Sequence, residues 1–345
     1  MHALILAGGK GTRLRPLTVY TPKPIVPVMN RPFLLYQIEI LRRAGITEIT
    51  LSLSYQPDKI EQLLGDGSEF GVNVRYLTEP TPLGTGGAYR FAAEEIDETT
   101  VVLNGDIITD GDLTEMIEFH RSTKAEATIA LTPVADPSNY GLVECDRDNR
   151  VKRFVEKPNA DETGKQKINT INAGIYVLEP TIRELVKKNE NRSFEYHVFP
   201  DLLQQERDFF AYQLKDAYWR DLGTPDNYLA AHLDFLSGSI KGFQTPEVDR
   251  SEIATHAHIE NSLIGEGCTI KPNAEIINSV IGPGVHIEEK ARIENSVVWS
   301  HTRVSSFAAV NGAVIARSCH IGRNAVVREG GVIGDKASIP DYSRV

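Results

Sequence analysis

Residues 259 to 339 repeat at a fixed period, and few folds can absorb such a repeat. "IENSLIGEGCTIKPNAE", "IINSVIGPGVHIEEKAR", "IENSVVWSHTRVSSFAA" and "VNGAVIARSCHIGRNAV" are four copies of a 17-residue unit. Ile or Val recurs at 259, 264, 270, 276, 281, 287, 293, 298, 304, 310, 315, 321, 327, 333 and 339. Steps of six, with a five once per turn, send one aliphatic side chain inward from each side of a triangular coil. Stacked coils then share one continuous core. Asn261, Asn278 and Asn295 hold one place in the unit, which predicts a stacked ladder at a corner rather than a set of ligands.

The pattern resembles the hexapeptide repeat of left-handed parallel β-helices, expected here over residues 252–345. Residues 237–251, "SGSIKGFQTPEVDRS", lose all periodicity and read as a linker. Residues 1–236 follow a different grammar. "HALILAG", "EITLSLSY", "VNVRYLTE" and "TVVLNGDII" read as strands, and "PFLLYQIEILRRAG", "DKIEQLLGDGSEFG" and "TGGAYRFAAEEI" as helices with their loops. Strand and helix in alternation predict an α/β domain with a Rossmann-like, mainly parallel sheet. Ligands of such sheets sit beyond the carboxyl ends of the strands, where this chain places Gly- and Asp-containing loops.

A net charge of −10 over 345 residues argues against a general nucleic-acid binder, which needs a basic surface to displace counterions. Cys145, Cys268 and Cys319 lie far apart, with neither a disulfide framework nor metal spacing, and fit a reducing compartment. Met1 leads straight into "ALILAGG", unlike a signal peptide, and no stretch approaches the about 20 apolar residues of a membrane span. A cytoplasmic protein without membrane or nucleic-acid partners is expected.

"MHALILAGGKGTRLRPLTVYTPKP" crowds glycines, cations and prolines behind the first apolar run. Gly8, Gly9 and Gly11 allow a tight turn that presents main-chain N–H groups to an anion. Arg13, Arg15 and Lys23 add positive charge, and the prolines stiffen the excursion. A phosphate-rich ligand fits. A Walker loop needs Ser or Thr after Gly-Lys, whereas Gly11 follows Lys10. A Rossmann fingerprint fails as well, because "GGKGTRL" lacks its last glycine and "LSLSY" lacks the acidic residue ending the second strand.

"LAGGKGTRLRPLTVYTPKP" is similar to the signature of the sugar-1-phosphate nucleotidylyltransferases. The likeness continues in order through "EPTPLGTGGA" (79–88), "LNGDI" (103–107), "FVEKP" (154–158), "INAGIYVLEP" (171–180), "SFEYHVFPDLL" (193–203) and "YWRDLGTPDNY" (218–228). Within that family the chain looks most like the mannose-1-phosphate guanylyltransferases. The resemblance implies that NTP and sugar 1-phosphate give NDP-sugar and pyrophosphate. The attacking phosphate oxygen is already an anion, so no general base is required, and catalysis consists of bringing two polyanions together.

By motif match, Leu6, Ala7, Gly8, Gly9, Gly11, Thr12, Gly84 and Thr85 would bind the nucleotide, with Leu6 and Ala7 edging the base or ribose. Arg13 would clamp the triphosphate and the departing pyrophosphate, and Lys23 would neutralise the α-phosphate region. Asp106 and Asp221 would hold Mg²⁺, which takes one or two carboxylates plus phosphate oxygens and water. Lys157 would contact the sugar phosphate, while Glu156, Asn172 and Glu195 recognise hydroxyls and Gly141 lets main chain approach the sugar. Plainer readings exist for several: Asp106 as a helix cap, Lys23 as a solvated lysine, Glu156 with Lys157 as a surface ion pair, Glu195 as a helix-start acid.

Glu79 stands where thymidylyl-transferring relatives carry glutamine. A carboxylate offers only acceptors, which suits the N1–H and N2–H₂ donors of guanine and favours GTP. Another pair, such as dTTP or UTP with glucose 1-phosphate, remains an alternative, and mannose rests on overall resemblance. A second alternative is an acyltransferase in the β-helix, with His256, His258, His286, His301 or His320 as base. A third is a non-catalytic nucleotide-sugar-binding paralogue, although Arg13, Lys23, Asp106, Lys157 and Asp221 are all present. The β-helix is expected to serve assembly of a homo-oligomer.

Overall fold

The structure, a computed structural model, describes residues 1–157, 169–244 and 251–345. Pro158 of the "FVEKP" motif and residues 245–250 of the expected linker lie outside the described residues. The chain forms two compact units: Met1–Gly9 with Tyr36–Trp219, and Lys10–Leu35 with Arg220–Val345.

The first unit is built on the expected Rossmann-like sheet, with nine strands among the described residues. His2–Leu6 lies between Glu48–Leu53 and Thr100–Asn104 and is parallel to both; Asn73–Thr78 extends the parallel set beyond Glu48–Leu53. "HALIL" and "TVVLN" are almost wholly apolar because both faces of these strands are covered. The chain steps outward from the first strand, then returns after Asn73–Thr78 to pair on its other side. That reversal is a topological switch point, and the crevice beyond Leu6 and Asn104 is where such a sheet takes its ligand.

Thr170–Leu178 runs antiparallel to Thr100–Asn104 and to Ala127–Pro133, with a register break between Asn172 and Tyr176. Gly141–Cys145 and Val151–Glu156 form an antiparallel hairpin at the sheet edge. Beneath this half, Tyr176, Phe194, Phe199 and Phe209 are buried together, and the Phe194 and Phe199 rings stack at 5.4 Å. The π-helical turn Phe194–Val198, capped by the Ser193 hydroxyl, carries Glu195 on the far side of that packing.

In the second unit the repeat closes into three-sided coils whose flanks form three parallel sheets. Ile264, Ile281, Val298, Ile315 and Ile333 climb one of them, and the inward residues predicted by the spacing are the ones buried in its core. Cys268 and Cys319 are buried there as small packing residues. Pairing advances by 17 from coil to coil until the last, where Val314 meets Val332 and Ile321 meets Ile339, an advance of 18. Gly330 and Gly331 take up the extra residue, and Gly330 has the left-handed φ of 79° that a tight corner demands. A register this regular leaves no room for the inserted loop that an acyl-CoA site would need, and the acyltransferase alternative is not favoured.

The corner asparagines stack as expected. Asn261 Nδ2 donates to Asn278 Oδ1 at 2.8 Å, and Asn278 Nδ2 to Asn295 Oδ1 at 3.3 Å. All three have φ between 42° and 48°, which Asn tolerates better than most residues, and the fourth rung is Gly312. Among the described residues, no helix is long and apolar enough to cross a membrane.

Candidate active site

In the first unit, Leu6 ends its strand, and the Gly105 N–H donates to the Leu6 carbonyl at 2.9 Å across the switch point. A Cβ on Gly105 would strike Leu6 O at 2.6 Å and Ala7 Cα at 2.9 Å, so only glycine lets the two loops meet. Asp106 is the next residue, and this close approach sets it beside Ala7. Gln37 spans the turn beneath it, donating to the carbonyls of Asn104 (2.8 Å) and Ile107 (3.0 Å).

The Gly8 carbonyl accepts a hydrogen bond from the Ser54 hydroxyl. Glu79 is 9% exposed and accepts from the Ser52 hydroxyl at 2.9 Å and from the Leu83 N–H at 3.2 Å. Burial raises its pKa, against the opposing pull of those two hydrogen bonds. Gly9 differs from Gly8: a Cβ there would meet no protein atom within 4 Å.

Gly84 opens the helix Gly84–Ala92 at φ 71°, where a Cβ would meet the Arg192 carbonyl at 2.6 Å. The Gly87 N–H donates to that carbonyl, and the Arg192 N–H to Leu83 O, both at 2.9 Å. The glycines of "GTGGA" therefore admit the 190–194 segment. Thr85 accepts from the Phe194 N–H and donates to Glu195 Oε2, both at 2.9 Å, which orients Glu195.

The residues assigned to the sugar converge in the same unit. Gly141 faces Glu156 across the hairpin, and a Cβ would meet Phe154 Cζ at 2.6 Å and Glu156 Oε2 at 2.9 Å. Burial raises the pKa of Glu156, and the Glu195 charge raises it further while Lys157 opposes. Glu195 is raised by burial first, with the Asp106 charge adding to it. The Glu195 charge thus reaches Glu156, and the Asp106 charge reaches Glu195. Lys157 is exposed at a left-handed φ of 49°, which costs a non-glycine residue about 1 kcal/mol, and its N–H donates to Tyr140 O at 3.1 Å. Asn172 donates to the Tyr176 hydroxyl (2.9 Å) and accepts from the Gly174 N–H (2.8 Å), at the register break noted above. Trp219 donates to Ala173 O at 2.8 Å and meets the Tyr140 ring edge-on at 5.6 Å.

The second unit gathers the remaining residues. Gly11 is left-handed (φ 62°) and caps the turn Thr12–Leu14, leaving Thr12 and Arg13 exposed. A Cβ on Gly11 would stand 3.1 Å from both Lys23 Cβ and Thr18 Cγ2, so the loop folds back on Lys23. Lys23 is only 8% exposed, which is unusual for a lysine. Asp221 accepts from Asn227 Nδ2 at 2.8 Å and from the Gly223 N–H at 3.2 Å. A Cβ on Gly223 would lie 2.6 Å from Asp221 Oδ2 and 2.9 Å from Arg13 Nη2. Asp221 and Arg13 therefore flank one glycine at the start of the helix Pro225–Leu236.

Sequence reasoning missed the residues that hold these groups: Gln37, Ser52 and Asn227. Gln37 had a signal, as a polar residue amid the apolar positions of "LLYQIEIL". Ser52 had a weaker one, interrupting the strand "EITLSL".

Residues 2–238 match the nucleotidyl transferase family, and residues 247–345 match the EIF2B subunit epsilon LbH domain. The chain is 37% identical over 282 residues to a mannose-1-phosphate guanylyltransferase of Mycobacterium tuberculosis, covering 79% of this chain and 77% of that one. It is 38% identical over 286 residues to a probable mannose-1-phosphate guanylyltransferase 1 of Oryza sativa subsp. japonica, covering 79% and 75%. It is 42% identical over 247 residues to a mannose-1-phosphate guanyltransferase of Pichia angusta, covering 70% and 66%.

Proposed function

The chain belongs to the nucleotidyl transferase family, and we propose that it transfers the guanylyl group of GTP to mannose 1-phosphate, giving GDP-mannose and pyrophosphate. The observation that carries this reading is the 37% identity, over most of both chains, to a relative named for that reaction. Glu79 supports the choice of base: a buried carboxylate against Gly8 offers acceptors to guanine N1–H and N2–H₂, with lone pairs left beyond those given to Ser52 and Leu83. Residues 1–236 would carry the chemistry, joined through 237–251 to the β-helix of 252–345.

The reaction joins a sugar phosphate oxygen to the α-phosphorus as the bond to the β-phosphate bridging oxygen breaks. Main-chain N–H groups of Gly8–Gly11 and the charges of Arg13 and Lys23 offset the negative charge on the triphosphate and on the departing pyrophosphate. Lys157 brings in the sugar phosphate, and Glu156, Asn172 and Glu195 orient the sugar hydroxyls. Asp106 and Asp221 are hard oxygen donors of the kind Mg²⁺ takes, and Asp221 is pre-oriented by Asn227 and Gly223, so the donor set fits that ion. When bound, the ion supplies charge neutralisation at the phosphate oxygens.

The test is pyrophosphate release in the presence of Mg²⁺, crossing GTP, UTP, dTTP, ATP and CTP with mannose and glucose 1-phosphates. A maximum for GTP with mannose 1-phosphate, lost on Asp106→Asn, is expected. A maximum with another nucleotide overturns the assignment to Glu79, and silence accompanied by tight nucleotide-sugar binding favours the regulatory alternative. We further propose a homo-oligomer assembled through the β-helix, which a monomer in sedimentation equilibrium would overturn. We also propose a reducing location, the cytoplasm, which the wide spacing of Cys145, Cys268 and Cys319 along the chain fits.

A further inference from the structure

Within the second unit, the segment from Pro16 to Asn30 lies along the β-helix one coil at a time. Pro16 packs on Gly334, where a Cβ would stand 3.1 Å from Pro16 Cβ. Thr21 Oγ1 accepts from Arg317 Nη2 at 2.5 Å. The Pro27 carbonyl accepts from the Tyr228 hydroxyl, whose oxygen accepts in turn from Trp299 Nε1 at 2.9 Å. Asn30 Nδ2 donates to Ile281 O at 2.9 Å. Residues 281, 299, 317 and 334 are each 17 or 18 apart, so the four ties come from four successive coils. The segment descends those coils in strict order as the chain runs forward.

Lys23 falls between the second and third ties. Its turn is closed by Ile25 N–H to Pro22 O (3.0 Å) and Val26 N–H to Lys23 O (3.2 Å), so fixing Thr21 on one side and Pro27 on the other fixes the main chain that aims the lysine. The two ties brace each other. The Arg317 guanidinium lies over the Trp299 ring at 5.9 Å, and Asp335 accepts from the Arg317 N–H at 3.1 Å. Trp299 is 3% exposed, and its indole N–H is given to the Tyr228 hydroxyl, which reaches the segment. Packing the helix Pro225–Leu236 on the coils requires no such relay. The relay ends on the carbonyl of Pro27, four residues from Lys23.

We infer that Trp299 and Arg317 are positioning residues for nucleotidyl transfer: from two successive coils they fix, through Tyr228 and Thr21, the main chain on either side of Lys23. This rests on the reading of Lys23 as the cation at the α-phosphate. A displacement of about 1 Å in such a group costs on the order of 100-fold in rate. The β-helix is thereby a part of the apparatus that positions Lys23.

The test uses the full chain and measures kcat, both KM values and melting temperature for Tyr228→Phe, Trp299→Phe, Arg317→Met and Lys23→Ala. Tyr228→Phe removes one oxygen, and kcat is expected to fall about 10-fold or more with the KM for mannose 1-phosphate unchanged. Tyr228→Phe combined with Trp299→Phe should be no slower than the slower single variant, and neither should slow Lys23→Ala further. Wild-type kcat in Tyr228→Phe, with Lys23→Ala inactive, overturns the positioning role and leaves the reading of Lys23 intact. Full activity in Lys23→Ala overturns that reading instead. Should Tyr228→Phe fold poorly, Arg317→Met reads the Thr21 tie together with the guanidinium's contact on Trp299: a loss of kcat at an unchanged melting temperature supports the role, and wild-type kcat overturns it.

Discussion

Gly8 and Glu79 occupy adjoining space: a Cβ on Gly8 would stand 2.7 Å from Glu79 Oε1 and 3.2 Å from Ser54 Oγ. Gly8→Ala must push the carboxylate away from the loop. We expect it to raise the KM for GTP by about 10-fold or more while mannose 1-phosphate affinity holds. Glu79→Gln keeps the shape and exchanges one acceptor for a donor, which costs about 1–3 kcal/mol where guanine donors are left facing it. The measurement is kcat/KM for GTP against dTTP, which should converge in Glu79→Gln.

Gly9 has open space where its side chain would be. Gly9→Ala is therefore expected to leave the melting temperature within about 2 °C of wild type and still to weaken nucleotide binding, because on the proposed reading the methyl group would lie where triphosphate meets main chain. Equilibrium titration with GTP and a thermal melt separate the two effects. Unaltered GTP affinity would remove Gly9 from the site.

Asp221 owes its orientation to Asn227 Nδ2 at 2.8 Å. Asn227→Ala removes the bond to Oδ1 and leaves the Gly223 N–H on Oδ2, so the carboxylate is held less firmly; kcat is expected to drop about 10-fold, with a higher Mg²⁺ concentration needed for half-maximal rate. A metal titration of activity checks this, and an unshifted Mg²⁺ dependence would contradict it.

His232 is 1% exposed, packs its ring 4.5 Å from Tyr228, and has neither ring nitrogen hydrogen-bonded among the described residues. Burial pushes its pKa down to about 3, from about 6.5 in the unfolded chain. Between those values the unfolded chain holds a proton that the folded chain does not. Stability is therefore fully present above about pH 6.5 and declines as pH falls towards 3, by about 1 kcal/mol between pH 7.5 and 5.5. Urea unfolding at those two pH values should show the loss in wild type, with a smaller loss in His232→Leu.

Asn278 sits mid-ladder with φ 45° and a hydrogen bond on each side. Asn278→Ala loses both bonds and takes on left-handed strain, for an expected loss of about 1–3 kcal/mol. Asn278→Gly, like the natural Gly312, should cost less. Chemical denaturation of the two variants gives the order, and catalytic rates should be unchanged in both.

The β-helix was legible because each inward Ile or Val is both a position in the repeat and a member of the core, so periodicity and packing are one signal. The last coil departs from the unit: a step of six stands between Val327 and Ile333 where a five is due, and the pairing of Val314 with Val332 places the extra residue at Gly330–Gly331. The position of Asp106 at the end of its strand was legible from the apolar run that precedes it. The site was not legible where packing chose the residue type. Gly84 and Gly87 are glycines because the Arg192 segment crosses them, and Gly141 because Phe154 and Glu156 do. Nothing local distinguishes such a glycine from one kept open for a phosphate. The ties from Arg317 to Thr21 and from Trp299 towards Pro27 join residues remote in sequence, and no spacing rule reaches across that separation.

The order in which the Pro16–Asn30 segment descends the coils has a consequence for biosynthesis. The segment precedes Gly334 by more than 300 residues, so it is translated well before the coil that carries that glycine. At about 5–20 residues per second, the segment spends on the order of tens of seconds without the surface it will rest on. The first contacts to become available are the last in the segment: Ile281 emerges for Asn30, then Trp299 for the Tyr228 relay, then Arg317 for Thr21, and finally Gly334 for Pro16. The segment is thus moored from its far end backwards as translation proceeds. A chain cut short before Trp299 keeps Lys23 and lacks the coils that supply three of the four ties along its segment.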